Sequence, residues 1–162
     1  CQVGVVTDLG GAAGLAEFDV FDDNQMFKVI RSQVDVVLPD GAAVLNADDT
    51  GVVEMQPLCD GEVIFYSSNP EAPAIVAHRA SNGRAVLVRQ NQVVLATGAV
   101  ESFLPGLHKL NAWCKRHAKS GIAEPSLLAA VATAWALDIP LNLIGAGIEA
   151  FESNPLPAGK AA

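Results

Sequence analysis

The chain has 162 residues, 51% of them apolar, and a net charge of −8 from 10 basic and 18 acidic side chains. That length and apolar content suit one α/β domain with a sizeable core, and a field of that sign repels phosphate backbones, which sets nucleic acid aside as a partner. Cys1, Cys59 and Cys114 stand too far apart for a metal-ligand motif or a disulfide framework. No signal peptide or apolar run of bilayer length is recognisable, so a protein of the reducing cytoplasm is expected.

Residues 3–7 (VGVVT) read as a buried strand, followed over 8–16 by a Gly/Ala loop, DLGGAAGLA. Its spacing is neither GxxxxGK[ST] nor GxGxxG, and it holds no Lys, Ser or Thr, so a tight connection is expected rather than a phosphate cradle. Asp22 or Asp23 can cap a helix over 24–33 with Met26, Phe27, Val29 and Ile30 on its apolar face. The stretch 35–49, DVVLPDGAAVLNADD, organises the rest of the chain. Its run 35–38 has strand character, Pro39-Asp40-Gly41 is a turn, and 42–45 is a second apolar run. Continuous apolar runs suit strands covered on both faces, as in a mainly parallel sheet. Asn46, Asp48 and Asp49 then fall at the carboxyl end of a strand, where open α/β sheets bind ligands; an Asn and two carboxylates there suit a ribose, a cation or an ammonium group. The same residues suit a turn and the cap of the next helix, and both readings stay open.

Residues 50–58 read as a short helix with Val52, Val53, Met55 and Leu58 inward, ended by Cys59-Asp60-Gly61, and 62–66 as a further strand. After a loop with two prolines, short alternating strands are expected: 75–78, an Asn82-Gly83 hairpin turn, 85–89, the turn 90–92, and 93–97, together an antiparallel meander at one edge. His78 has no partner at ligand spacing and is expected at the surface; Arg84 and Arg89 are expected as solubilising charges. Residues 100–110 are mixed and broken by Pro105-Gly106. His108, Lys109, Lys115, Arg116, His117 and Lys119 form a basic cluster in an acidic chain. They suit an amphipathic segment with Leu107, Leu110 and Trp113 packed and the charges solvated; the alternative is a partner site anchored by Trp113. Pro125 suits the first turn of an Ala-rich helix running to Leu137. Asp138-Ile139-Pro140 stops it, and 141–151 forms a last helix with Leu143, Ile144, Ile148 and Phe151 on one face. The sequence contains no Walker lysine, no HExxH and no CxxC. Asp8, Asp48 and Asp49 are the carboxylates placed at strand carboxyl ends, and the residues alone leave the chemistry open.

Several stretches, in order, nonetheless resemble one family: VGVVTDL at 3–9, QVDVVLP at 33–39, GAAVLNADD at 41–49, CDGEVIF at 59–65, His78-Arg79-Ala80, and 129–137 followed by Ile144, Gly147 and Phe151. Together they resemble the cyanophycin synthetases, in the later part of their Mur-ligase-like central domain. The resemblance implies a mainly parallel sheet flanked by helices with a small antiparallel meander at one edge. Residues 1–152 would be the back portion of that domain in a longer protein, and 153–162 a linker toward a C-terminal ligase domain. The implied activity is ATP-dependent amide-bond formation, in which an aspartate side chain becomes an acyl phosphate and the arginine amine attacks it, with magnesium neutralising the phosphates. ATP and magnesium are the implied cofactors. The implied partners are the remainder of the ligase polypeptide, the aspartate–arginine polymer and further copies of the chain, with no nucleic acid and no membrane. By position, Asn46, Asp48, Asp49 and Ser126 would bind nucleotide or substrate, Asp8 would bind metal, and no residue of this chain would be catalytic.

The family's phosphate-binding loop would lie before Cys1. Asp8 stands where the family carries Asn, Ala13-Gly14 where it carries an Asp-His pair, Ile30 where a modified lysine lies, and Ser126 where an Asn faces the base. The chain is therefore expected to be inactive on its own. The alternative is a Mur-like domain serving as a structural or oligomerisation scaffold, or as a module that binds nucleotide or peptide.

Overall fold

Apolar runs that look alike in sequence become four neighbouring parallel strands. A computed structural model describes residues 1–11, 14–118 and 121–153. One sheet runs in the order β1-β2-β3-β4-β5-β6. Strands β1 (Val3–Val6), β2 (Ala42–Asn46), β3 (Glu62–Ser67) and β4 (Arg84–Arg89) are parallel, while β5 (Gln92–Thr97) and β6 (Val100–Phe103) continue it antiparallel. This is the expected α/β class, with its antiparallel part at one edge. Ala13 and residues 154–162 of the expected linker lie outside the described residues.

Parallel strands laid down in chain order need right-handed crossovers, and these put every connecting helix on one face. That face carries α1 (Asp23–Ile30), α2 (Ser32–Asp35), α3 (Thr50–Val53) and α4 (Pro73–Ala80). Their Val34, Val52 and Ile75 share a buried cluster with Leu45, Phe65 and Leu87 of the strands. The opposite face is covered by the chain's last third: α5 (Leu110–His117), α6 (Glu124–Ala136) and α7 (Leu141–Ser153). Leu110, Trp113, Leu128 and Val131 pack there on Val44, Ile64, Tyr66 and Val86. Neighbours on a strand, such as Ile64 and Phe65, thus enter opposite cores, the physical reason the runs are continuous rather than alternating.

The direction of α6 matters for the site. Arg84 opens β4, pairs with Glu62 at the start of β3, lies 4.7 Å over the Trp135 ring and donates to the Trp135 carbonyl at 3.4 Å. The far end of α6 therefore lies at the amino ends of the strands. Its 13 residues rise about 20 Å and bring its N-terminus to the carboxyl ends.

Several local expectations are corrected. Residues 35–38 are not a strand: α2 ends at Asp35, Val34 and Val37 are buried, and Val36 and Leu38 are 55% and 52% exposed. That three-residue spacing follows a helical turn docked on β1, and the docking outweighs β-branched propensity. The helix expected over 24–33 is broken into α1 and α2, with Val29 exposed. Residues 75–78 lie in α4, whose first turn holds Pro73. Asn82 (φ 62°) and Gly83 close that helix and lead into a parallel strand. The two-residue hairpin turn is instead Gln90-Asn91, both at positive φ (51° and 61°). His78 is half-buried rather than at the surface, its Nε2 3.0 Å from the Val63 carbonyl and its ring edge-on to Phe65 at 4.9 Å. Arg89 and Arg79 share Glu101, at 3.1 and 2.8 Å, so neither Arg89 nor Arg84 is a free solubilising charge. Residues 100–103 form β6, Leu143 is exposed, and α7 runs to Ser153.

A Cβ on Gly4 would meet the backbone carbonyl of Gln33, where the chain from α2 crosses β1, whereas one on Gly147 in α7 meets open space. Gly4→Ala is expected to cost about 1–3 kcal/mol in urea unfolding, and Gly147→Ala to be neutral or stabilising by up to about 1 kcal/mol; the reverse ranking would refute the docking. Burial holds the pKa of His78 below its ordinary 6.5, against the raising effects of the Val63 and Arg84 backbone and of Glu62. The native state thus binds fewer protons than the unfolded chain, so His78's contribution is complete above pH 6.5 and is lost as pH falls toward the lowered native value. Melting temperature should drop across that window, and His78→Gln should flatten the drop.

Candidate functional site

The apolar runs of β1, β2 and β3 all give way to polar residues at one rim, because side chains beyond a strand's carboxyl end leave the two-sided core. Asn46, opposite Tyr66 in register, donates from Nδ2 to the Thr7 carbonyl at 2.8 Å and accepts from the Asp48 amide at 3.0 Å. Asp48 accepts from the Ser67 hydroxyl and, at 3.1 Å, from the Ser68 amide. Asp49 is the N-cap of α3: Oδ1 accepts from the Gly51 and Val52 amides at 2.9 and 3.2 Å, and Oδ2 accepts from the Leu9 amide at 3.2 Å. Asp8 accepts from the Thr7 hydroxyl at 2.8 Å and the Gly10 amide at 2.9 Å. The capping reading of Asp49 is thus realised. Each carboxylate retains acceptor capacity, since two oxygens offer about four lone-pair sites, and Asp8 and Asp48 are exposed.

Tyr66 joins this group from β3. It is 1% exposed, and its hydroxyl has no hydrogen-bond partner among the described residues. Burial, then the charges of Asp8, Asp48 and Asp49, push its phenol far above the usual range. It therefore stays a protonated donor beside three carboxylates. Within the run VIFY it reads as core; its one sequence signal is a hydroxyl near the end of a strand. Beside the rim lies a polar cleft of about 840 Å³, bounded by Leu9, Gly10, Asp49, Thr50 and Gly51, by Asp23 and Lys28 of α1 and by Arg31 just after that helix. Arg31 is tied to Asp35 at 2.9 Å.

No family profile matches the chain. A cyanophycin synthetase of Geminocystis herdmanii is 31% identical over 156 residues, covering 96% of this chain and 17% of that protein. Another, from a Synechocystis species, is 37% identical over 100 residues, covering 61% of this chain and 11% of that protein. A third, from Trichormus variabilis, is 25% identical over 154 residues, covering 94% of this chain and 17% of that protein. The chain resembles a segment of cyanophycin synthetase. It spans 17% or less of the length of these relatives.

In this cyanophycin synthetase-like segment the structure brings together Asp8, Asn46, Asp48 and Asp49, but sets Ser126 apart. Ser126 lines an apolar cleft of about 420 Å³ between α6 and α7, with Trp113 and Phe151. It shares only the end of the sheet with the others, at the first turn of α6. Among the described residues no three His, Cys, Asp or Glu side chains form a metal-holding group. Magnesium is commonly held by one or two carboxylates together with phosphate oxygens, and the exposed carboxylate of Asp8 suits that mode. Among the described residues no helix is long and apolar enough to cross a membrane.

Because Asp49 both caps α3 and holds the β1 loop, Asp49→Ala should cost about 1–2 kcal/mol. Asp49→Asn, which keeps one acceptor oxygen, should cost less than half of that. Thermal melts check the ranking; equal losses would mean that charge, not hydrogen bonding, sets the contribution.

Proposed function

We propose that this chain is the later part of the central ligase domain of a cyanophycin synthetase-like enzyme, residues 1–152, followed by a linker. The enzyme would use ATP to join arginine to an aspartate side chain of an aspartate–arginine polymer. The carrying observation is that Asp8, Asn46, Asp48 and Asp49 converge at the carboxyl ends of adjacent parallel strands, the place where open α/β sheets take ligands. The match along 96% of the chain to one such synthetase supports it.

In such a ligase the aspartate carboxylate attacks the γ-phosphorus of ATP, the bond to the bridging oxygen breaks, and ADP leaves an acyl phosphate. The arginine amine then adds to the acyl carbon, the bond to phosphate breaks, and amide, phosphate and a proton result. The residues of this chain orient and hold. Asp48 and Asp49, already aimed by their own hydrogen bonds, suit the ammonium or guanidinium of arginine at little reorganisation cost. Ser126 suits the nucleotide. Asp8 would hold magnesium, which supplies neutralisation of the phosphate charge when bound. The remainder of the ligase polypeptide and further copies of the chain are its partners in this reading, in the cytoplasm; the open sheet edges β1 and β6 suit coverage by such partners.

A scaffold role is the second reading, favoured by the internal hydrogen bonds that engage all four rim residues. The test is ATP-dependent incorporation of labelled arginine into a primer by the complete protein. Asp8→Ala and Asp48→Asn should each lower kcat at least about 10-fold, a barrier change near 1.4 kcal/mol, with melting temperature little changed. Undiminished incorporation in both variants would leave the scaffold reading.

A further inference from the structure

The polar cleft beside the rim lies between two helices that the sheet brings side by side. Helix α1 follows β1 and α3 follows β2, and these two strands pair in parallel. Asp23, Phe27 and Arg31 stand four residues apart, with Lys28 in the neighbouring row, so they share one helical face. That face lines the cleft, and Asp49 and Glu54 line it from α3. Glu54 continues the helical backbone at the end of α3 (φ −63°, ψ −14°), about 7.5 Å of helical rise beyond the rim residue Asp49.

The charges of this lining are not spent on one another. Asp23, Lys28 and Glu54 are exposed and form no ion pair among the described residues. Arg31 is held by Asp35, and Asp49 accepts from three backbone amides. Three carboxylates stand against two cations, a net charge of −1. The volume of about 840 Å³ is that of a small-molecule pocket, about 300–1,000 Å³.

We propose that this cleft is the subsite for arginine. Glu54 takes the guanidinium, Lys28 takes the α-carboxylate, and the α-amine lies toward Asp49 and the rim. The proposal rests on the ligase reading above, which supplies arginine's place in the reaction, and adds the residues that select it. Net charge decides the ligand. A basic amino acid, of charge +1, cancels the lining, whereas an acidic amino acid or a triphosphate is repelled by its three carboxylates. A guanidinium meets a carboxylate through a planar fork of donors, and an ammonium meets one as a point charge. Phe27 gives the methylene stem of the ligand an apolar surface.

The test is isothermal titration calorimetry of the complete protein with three probes. These are L-arginine, L-citrulline, which has a neutral urea in place of the guanidinium, and agmatine, which lacks the carboxylate. Wild type should bind L-arginine most tightly. Glu54→Gln should raise Kd for L-arginine and agmatine about 5- to 10-fold and leave L-citrulline unchanged. Lys28→Gln should raise Kd for L-arginine and L-citrulline by a similar factor and leave agmatine unchanged. The KM for arginine in ligation should rise in step in both variants, with the thermal melt unchanged, because both side chains are exposed. Equal affinity of wild type for the three probes, no binding of L-arginine, or an unchanged L-arginine Kd in either variant overturns the subsite, and ligation that persists with its arginine KM intact leaves the ligase reading standing. The crossed pattern of affinities without ligation by wild type overturns the ligase reading alone and leaves a site for a basic amino acid.

Discussion

Four parallel strands, paired in the order in which the chain makes them, leave the sheet covered on one side only. Right-handed crossovers put α1 to α4 on one face, and the other face would stay bare without α5, α6 and α7. Arg84 fastens that second layer. Its pairing with Glu62 and its contacts with Trp135 hold the end of α6 at the amino ends of the strands. The start of α6 and the whole of α5 are thereby delivered to the carboxyl end. The apolar burial of Leu110, Trp113, Leu128 and Val131 on the sheet holds the layer, and the ion pair fixes which end of α6 meets the amino ends of the strands.

At the rim, side chains that hold the fold are the same ones that present polar groups. Asp49 caps α3 and holds the loop after β1, Asn46 bridges β1 to its own turn, and Asp48 ties β2 to the chain leaving β3. Such shared use gives preorganised acceptors, because orientation is set before any ligand arrives. Removing one of these residues therefore acts on stability and on the site together. The unpartnered hydroxyl of buried Tyr66 is the exception, a group whose burial the fold alone does not repay.

The two signs of charge occupy different parts of the rim. Carboxylates gather over β1 and β2, and cations line α5 on the side of β4. The separation arises from composition, since residues 102–123 hold no carboxylate, and from topology, since both ends of α5 are drawn to the same end of the sheet.

Residue order alone was enough to read the α/β class, the buried strands at 3–7, 42–45 and 62–66, each within one residue of the observed β1, β2 and β3, and the two long final helices. Continuous apolar runs, Ala-rich stretches and Pro125 record local burial and local backbone preference. Asn46, Asp48 and Asp49 were legible as either a cap or a ligand group, because both roles require the same short polar side chains. Long-range packing settled the rest: Val34 and Val37 belong to a docked helical end, Ile75 lies on a helix, and the tight hairpin turns at Gln90-Asn91 and not at Asn82-Gly83. It also brought Tyr66 beside the carboxylates and set Ser126 in a different cleft. The physical reason is the same in each case: a short segment's own preference amounts to about 1 kcal/mol, and burying a Val or Ile against a neighbour distant in the chain outweighs it.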